Sequence, residues 1–415
     1  MSEIRPSSTT PPSRSDRRTL LRRSLLSAGL FSLGTPAAWA AQLPAVPPQP
    51  RDGEGLRRIA VQGGLGELLP PDALGLRLPA GFSARLIARS GQTVGSTGYR
   101  WHSTPDGGAC VALADGGWIY VSNCELGSGQ GGASAIDFDA QGNIRRAYSI
   151  CSGTSRNCAG GMTPWGTYLS CEEVDRGRVI ECDPKGQLAP VARNAMGWFD
   201  HEAVAFDPSS GHAYMTEDKS DGRLYRFRPT RAGDLSAGTL EVARRVGRAA
   251  PYTLEWLTVP TPNPSSSGTR TRKQVSKSSS FNGGEGIWCH QGTVYFTTKG
   301  DNRVWALELA TQRLHILYDD STHSNPVLTG VDNVVVSQRG DVYVAEDGGD
   351  MQICMISPNG EVAPVVKLEG QDASEMTGIA FSPDGTRLYF SSQRGSAGSG
   401  SDGRTYEVRG PFLSS

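Results

Sequence analysis

The 415-residue sequence has no excess of either charge, no long apolar run and no Cys-x-x-Cys cluster. Its formal net charge is −1, so electrostatic attraction gives no reason to expect a nucleic acid or an acidic membrane as partner. No segment reaches the ~20 apolar residues of a membrane-spanning helix. The cysteine spacing does not suggest a zinc or iron–sulfur motif, and no nucleophile elbow, P-loop or dinucleotide fingerprint stands out.

The first forty residues contain the parts of an export signal in the expected order. Arg17-Arg18 resembles the twin-arginine motif, an apolar run from Leu25 to Leu33 follows, and Ala38-Trp39-Ala40 fits a cleavage site. We therefore predict a signal peptide at residues 1–40, the twin-arginine export machinery as a partner, and a periplasmic or secreted protein. The alternatives are a basic disordered N-terminus or an uncleaved anchor.

A strand-like element recurs six times after residue 81. In each copy a turn glycine precedes an aromatic-bearing strand, and the tyrosines are at positions 120, 168, 214, 295, 343 and 389. Intervals of 46 to 48 residues suit one four-stranded propeller blade, and the single interval of 81 contains a polar insertion at about 258–281. The prediction is an all-β, six-bladed β-propeller over 81–415, after a linker at 41–80. A β-sandwich is the alternative.

Acidic residues occur at matching positions of this repeat. Glu202, Glu285 and Asp332 begin strands that we assign to the innermost position. Other polar groups end the following strands, namely Glu125, Cys171, Glu173, either Glu217 or Asp218, and either Glu346 or Asp347. Antiparallel neighbours bring the start of one strand beside the end of the next, so these groups should converge. Clustered carboxylates need cations, and a hard ion such as calcium beside an iron held by sulfur would satisfy them. Alternatively, some of the acids only cap turns.

We assign no catalytic role to one histidine and one pair of cysteines. His201 precedes Glu202, and strand alternation turns it away from the acids, so we predict a structural hydrogen bond. Cys151 and Cys158 lie in one Gly/Ser-rich loop and are the pair that we expect to join if any disulfide forms.

Several segments together resemble the PhoX-type alkaline phosphatases. They are Trp165-Gly-Thr-Tyr-Leu-Ser-Cys-Glu-Glu173, His201-Glu202, Glu217-Asp218 and Glu285-Gly286. The resemblance implies a six-bladed, exported enzyme that hydrolyses phosphomonoesters at an iron and calcium centre. It implies that Cys171 binds iron and that the carboxylate ligands are Glu125, Glu173, Glu202, Asp218, Glu285 and Glu346.

Three positions depart from the family pattern. Cys124 replaces a histidine, Gly283 replaces an arginine that contacts phosphate, and Arg394 replaces a histidine after Gln393. We assign Arg394 as a replacement phosphate contact and expect a monomer. The competing hypotheses are a calcium-dependent lactonase-type propeller, which needs no thiolate, and a non-catalytic metal-binding propeller.

Overall fold

The structure is a computed structural model that describes residues 65–357 and 360–412. The predicted signal peptide and most of the linker lie outside these residues. Regular structure within them consists of strands and five three-residue 3-10 helices. No helix in the described ranges is long and apolar enough to span a membrane. The predicted all-β class is confirmed.

Twenty-six strands are found in the described residues. The first ten are β1 (Leu76–Arg77), β2 (Ser83–Arg89), β3 (Pro105–Ala112), β4 (Trp118–Cys124), β5 (Gly131–Phe138), β6 (Ile144–Thr154), β7 (Asn157–Met162), β8 (Tyr168–Glu172), β9 (Val179–Cys182) and β10 (Val191–Ala192). The next nine are β11 (His201–Phe206), β12 (Ala213–Glu217), β13 (Tyr225–Arg231), β14 (Asp234–Val246), β15 (Tyr252–Thr258), β16 (Gly284–His290), β17 (Thr293–Thr298), β18 (Arg303–Glu308) and β19 (Arg313–Asp319). The last seven are β20 (Val331–Val336), β21 (Val342–Glu346), β22 (Gln352–Ile356), β23 (Val362–Leu368), β24 (Met376–Phe381), β25 (Arg387–Ser392) and β26 (Arg404–Arg409). The 3-10 helices are Asn194–Met196, Thr271–Lys273, Lys299–Asp301, Asp320–Thr322 and Gly400–Asp402.

These strands form five antiparallel sheets in a propeller-like arrangement. Four sheets have four or five strands, and the fifth has nine. The nine-stranded sheet arises because β15 pairs with β19, which joins the run β11–β14 to the run β16–β19. The six separate sheets predicted from the repeat are therefore not found among the described residues. The strands β3, β7, β11, β16, β20 and β24 contact one another in this order, and β24 contacts β3, so they close a ring.

The N-terminal strands complete sheets that are built from the C-terminal part of the chain. Strand β2 pairs with β26, with Ser83 opposite Arg409, and β1 pairs with β23. Ladder hydrogen bonds thus tie the two ends of the described chain together.

The repeated tyrosines lie on the second strand of each run, next to the innermost strand. Five are buried, and Tyr295 is partly exposed. The rings of Tyr120 and Tyr389 stack with centroids 4.9 Å apart and connect the first and last sheets. Burial of large aromatic side chains between sheets stabilises the packing of neighbouring sheets and explains why they recur.

The segment predicted as an insertion connects β15 to β16 and is anchored by a buried arginine. Arg272 Nη1 lies 2.9 Å from Glu217 Oε1 and 3.3 Å from Asp200 Oδ2, and its Nε lies 3.2 Å from Asp221 Oδ1. A guanidinium satisfies several carboxylates at once, so one side chain fixes this segment against strand β12.

Candidate metal centre

Each of the six innermost strands contains a β-bulge near its start, directly after the first paired residue in five of them and after the second, Thr377, in β24. In β11, for example, His201 and Val204 are paired with β12, and the two residues between them are not. The first residues of the six bulges are Asp106, Cys158, Glu202, Glu285, Asp332 and Gly378. A bulge redirects a side chain away from the ladder. Five equivalent positions therefore present a carboxylate or a thiol at the same level of the ring.

Glycine or alanine follows four of these five ligand-type residues because the innermost strands approach each other closely, whereas Asn333 follows Asp332. A Cβ atom added to Gly107 would lie 2.4 Å from the Cα of Ala159, and one added to Gly286 would lie 2.5 Å from the nitrogen of Val334. Neither distance is compatible with a side chain. The local pattern of an acid or cysteine followed by a small residue is thus a consequence of the ring geometry.

The five bulge residues that carry a carboxylate or a thiol line one cavity of about 170 Å³. Its wall consists almost entirely of charged groups, with nine carboxylates, one thiol and three cationic side chains. The residues are Asp106, Glu125, Arg156, Cys158, Glu173, Glu202, Asp218, Glu285, Lys299, Asp332, Asp347, Glu375 and Arg394. Such an excess of acid in a confined volume favours the binding of cations.

Three groups of side chains in this cavity have the spacing of metal ligands. The groups are Cys158 with Glu173 and Glu202, Asp106 with Glu125 and Glu375, and Glu202 with Glu285 and Asp332. Within each group the ligand atoms lie within 4.8 Å of one another, and Glu202 belongs to two groups. We call them the thiol group, the Asp106 group and the Asp332 group.

In the thiol group, a sulfur atom and a carboxylate oxygen are in direct contact. The Cys158 thiol donates to Glu202 Oε1 over 3.1 Å and approaches Asp106 Oδ2 at 3.7 Å. The other oxygen of Glu202, Oε2, is buried and has no hydrogen-bond partner in the described part of the chain. An unpartnered buried carboxylate oxygen is costly, and a cation would satisfy it.

Burial and mutual repulsion disfavour the ionised forms of these groups. Burial, followed by the charge of Glu285, raises the pKa of Glu202 well above its ordinary value. Burial likewise raises the pKa of Asp332 to about 7. Burial and the nearby Asp106 carboxylate raise the pKa of the Cys158 thiol. A bound cation reverses such shifts because it stabilises the deprotonated ligands.

Three cations and one amide offset part of the negative charge. Arg156 Nη2 lies 3.0 Å from Glu125 Oε1 and 3.2 Å from Glu173 Oε2. Arg394 Nη2 donates to Glu375 Oε1 over 2.8 Å, and Lys299 Nζ lies 2.8 Å from Glu285 Oε1. The Gln393 amide donates to Asp106 Oδ2 and Glu125 Oε2 over 2.6 and 2.9 Å.

The structure brings most of the sequence-predicted residues into this cavity. Those that line it are Glu125, Glu173, Glu202, Asp218, Glu285 and Arg394, together with the inner-strand acid Asp332. Asp218 belongs to none of the three ligand groups and pairs with Lys299 at 3.3 Å. His201 faces away, and its Nε2 lies 3.0 Å from the carbonyl oxygen of Gly197, in line with the predicted structural role.

Cys171 does not lie with the acids, contrary to the prediction. It is buried among Leu169, Val179, Met196 and other apolar side chains. The prediction assumed that the alternation of strand β8 continues to residue 173, which would put Cys171 and Glu173 on one face. The strand ends at Glu172, and the nitrogen of Glu173 instead donates to the carbonyl oxygen of Arg156. The thiol in the cavity is that of Cys158.

Glu346 is also absent from the cavity wall. It ends strand β21, is fully buried, and accepts hydrogen bonds from Thr329 and Gln352. The next residue, Asp347, which was the predicted alternative at this strand end, lines the cavity in its place. The error is one residue in register, and a one-residue shift reverses the face of a strand side chain.

Sequence reasoning missed Asp106 and Glu375, and it missed Cys158 as a cavity residue. The expected disulfide between Cys151 and Cys158 is not formed, since all eight cysteines are free thiols. The innermost strands predicted from the sequence are those that begin with Glu202, Glu285 and Asp332. Two earlier strands show a similar signal, a ligand-type residue followed by a small one, at Asp106-Gly107 and Cys158-Ala159.

The fold and the cavity place the chain among propeller-like proteins with a strongly acidic cavity. The family model described as "Alkaline phosphatase PhoX" matches residues 139–180, 174–312 and 301–395. These ranges cover more than half of the sequence. The chain therefore belongs to the PhoX alkaline phosphatase family.

Solved structures agree on the fold. Pseudomonas fluorescens PhoX in complex with vanadate, a transition-state analogue, matches with a TM-score of 0.67 and 17% identity over 82% of this chain and 97% of that chain. A Bacteroides thetaiotaomicron protein of unknown function matches with a TM-score of 0.50 and 10% identity over 79% and 76%. No curated protein sequence matches the chain. Family membership makes this protein a metal-dependent phosphoric-ester hydrolase.

Proposed function

We propose that iron binds at the thiol group and calcium at the groups that contain carboxylates alone, and that phosphomonoesters are hydrolysed in this cavity. The observation that carries the proposal is the contact of 3.1 Å between Cys158 Sγ and Glu202 Oε1, beside a buried Glu202 oxygen without a partner. A thiolate suits iron, whereas calcium prefers oxygen ligands. The proposed ligands are Asp106, Glu125, Cys158, Glu173, Glu202, Glu285, Asp332 and Glu375.

The chain's own residues have two tasks in this reaction. The carboxylates and the thiol hold the cations, which when bound neutralise the phosphate and activate water. Arg394 is the candidate for orienting the ester, because its side chain is 37% exposed, lines the cavity and is held in place by Glu375. A guanidinium matches the geometry of phosphate oxygens and remains charged at every relevant pH.

Elemental analysis combined with turnover tests this assignment. We expect iron and calcium in the purified protein, hydrolysis of 4-nitrophenyl phosphate, and loss of both bound metal and activity in Glu202→Gln. Calcium alone, together with turnover of a lactone, would instead support the lactonase-type hypothesis. Retained metal without turnover of any ester would support a binding protein.

The blade count and the cellular location are part of the same proposal. We count the nine-stranded sheet as two blades joined through β15 and β19, which gives six, in line with the ring of six innermost strands. We also propose export as a monomer through the twin-arginine route on the strength of residues 1–40. Replacement of Arg17 and Arg18 by lysine should then retain the protein in the cytoplasm, and light scattering should give the monomer mass.

A further inference from the structure

Lys299 differs from the other cavity cations in how its backbone is held. It follows strand β17 and begins the 3-10 helix Lys299–Asp301. Its backbone nitrogen donates to the carbonyl oxygen of Gly283 over 2.8 Å, and the next nitrogen, that of Gly300, donates to Asn282. The backbone is therefore fixed at both residues. The four-carbon side chain remains free to move its ammonium group within the cavity.

The ammonium group of Lys299 contacts a proposed metal ligand directly. Its Nζ lies 2.8 Å from Glu285 Oε1, 3.3 Å from Asp218 Oδ2 and 3.7 Å from Asp347 Oδ2. Glu285 is only 2% exposed, whereas Asp218 and Asp347 are 22% and 33% exposed. The three carboxylates thus lead from the buried Asp332 group towards solvent.

A metal at the Asp332 group and the Lys299 ammonium would compete for the same carboxylate. Two positive charges at one Glu285 oxygen repel each other strongly because the surroundings have a low dielectric constant. Asp218 and Asp347 offer the ammonium an alternative position nearer to solvent. A dianionic phosphate ester that enters from the solvent side would meet the ammonium there.

The space beside this lysine is not filled by a side chain at residue 283. Gly283 has no side chain, and a Cβ there would lie 3.8 Å from Lys299 Cγ and 3.3 Å from Asp218 Oδ1. Arg156 and Arg394 pair with Glu125, Glu173 and Glu375, which belong to the other two ligand groups. Among the described cavity residues, Lys299 is the cation placed against the Asp332 group.

We propose that Lys299 is a tethered cation with two positions. It holds Glu285 when no metal is bound, and it contacts the phosphoryl oxygens of the ester once a metal occupies that carboxylate. The inference rests on the proposed metal centre and adds a phosphate-contacting residue to it. Lysine is a suitable phosphate ligand because its ammonium is a compact charge with three donors.

The test compares Lys299→Met with the wild type in two assays. Calcium is titrated calorimetrically into the metal-free protein, and inhibition by inorganic phosphate is measured with the metal-loaded enzyme. The variant should bind calcium about tenfold more tightly, because a competing charge is removed. It should bind phosphate about tenfold more weakly, because a charged hydrogen bond is lost. Lys299→Arg should restore phosphate binding.

Lys367→Met is the matched control. Lys367 is 31% exposed and pairs with the exposed Asp350 at 3.4 Å on strand β23, and it does not line the cavity. It should leave both affinities unchanged. If Lys299→Met binds calcium as tightly as the wild type does, and also binds phosphate as tightly, the inference is overturned. The metal centre itself would remain intact. A wild type that binds neither metal nor phosphate would overturn the proposed function itself.

Discussion

Cys158 and Glu202 occupy the same bulge position on the adjacent innermost strands β7 and β11, and their side chains meet at 3.1 Å. This contact comes from residues 44 positions apart in sequence. It places a soft and a hard ligand side by side in a buried wall. This contact with a carboxylate is what most clearly distinguishes Cys158, the thiol in the cavity, from the seven other cysteines.

The first prediction separates the two cysteines that compete for the ligand role. Cys158→Ala should remove the iron, because the thiolate is the soft ligand of the cavity. Cys171→Ala should keep the metal and lower the free energy of unfolding by about 1–2 kcal/mol, since it leaves a small cavity in an apolar core. Elemental analysis and urea denaturation of both variants measure these effects. Loss of iron from the Cys171 variant alone would reverse the assignment.

The second prediction concerns the pH dependence of metal stabilisation. The pKa of Asp332 is raised to about 7, so its protonated form favours the metal-free fold at low pH, and this contribution is lost as the pH rises through about 7. Above that pH the ionised Asp332 repels the neighbouring carboxylates. A bound cation removes this repulsion. The increase in melting temperature on adding calcium should therefore be larger at pH 8 than at pH 5. The same increase at both pH values would argue against metal binding to these acids.

Much of the fold could be predicted from the sequence because turn glycines and tyrosines repeat with the strands. The ring geometry also brought Glu125, Glu202 and Glu285 together as expected. The side-chain directions predicted from strand alternation are wrong for Cys171 and Glu346. Each residue lies at a strand end, where the ladder stops and the side-chain direction depends on the following loop. The pairing of β15 with β19 depends on outer strands that carry no repeat signal.

The third prediction uses Glu346, for which the sequence predicts a ligand role. Burial raises its pKa to about 7, so its protonation stabilises the fold below its ordinary pKa, and that stabilisation disappears as the pH rises through about 7. Glu346→Gln stays neutral and keeps an acceptor for Thr329. The variant should retain its metal and lose less stability than the wild type between pH 5 and 8. Metal analysis and denaturation at both pH values measure this, and a loss of metal would restore the original assignment.

The last prediction concerns the arginine that anchors the segment between β15 and β16. Arg272 is 9% exposed and pairs with Glu217, which is completely buried. Removal of one partner leaves a buried charge without compensation, so Arg272→Met should cost about 3–5 kcal/mol of unfolding free energy. Arg270→Met removes a neighbouring cation that is 52% exposed and pairs with the half-exposed Asp175. That control should cost less than about 1 kcal/mol. Chemical denaturation of the two variants decides the point, and similar costs would mean that Arg272 does not anchor the segment.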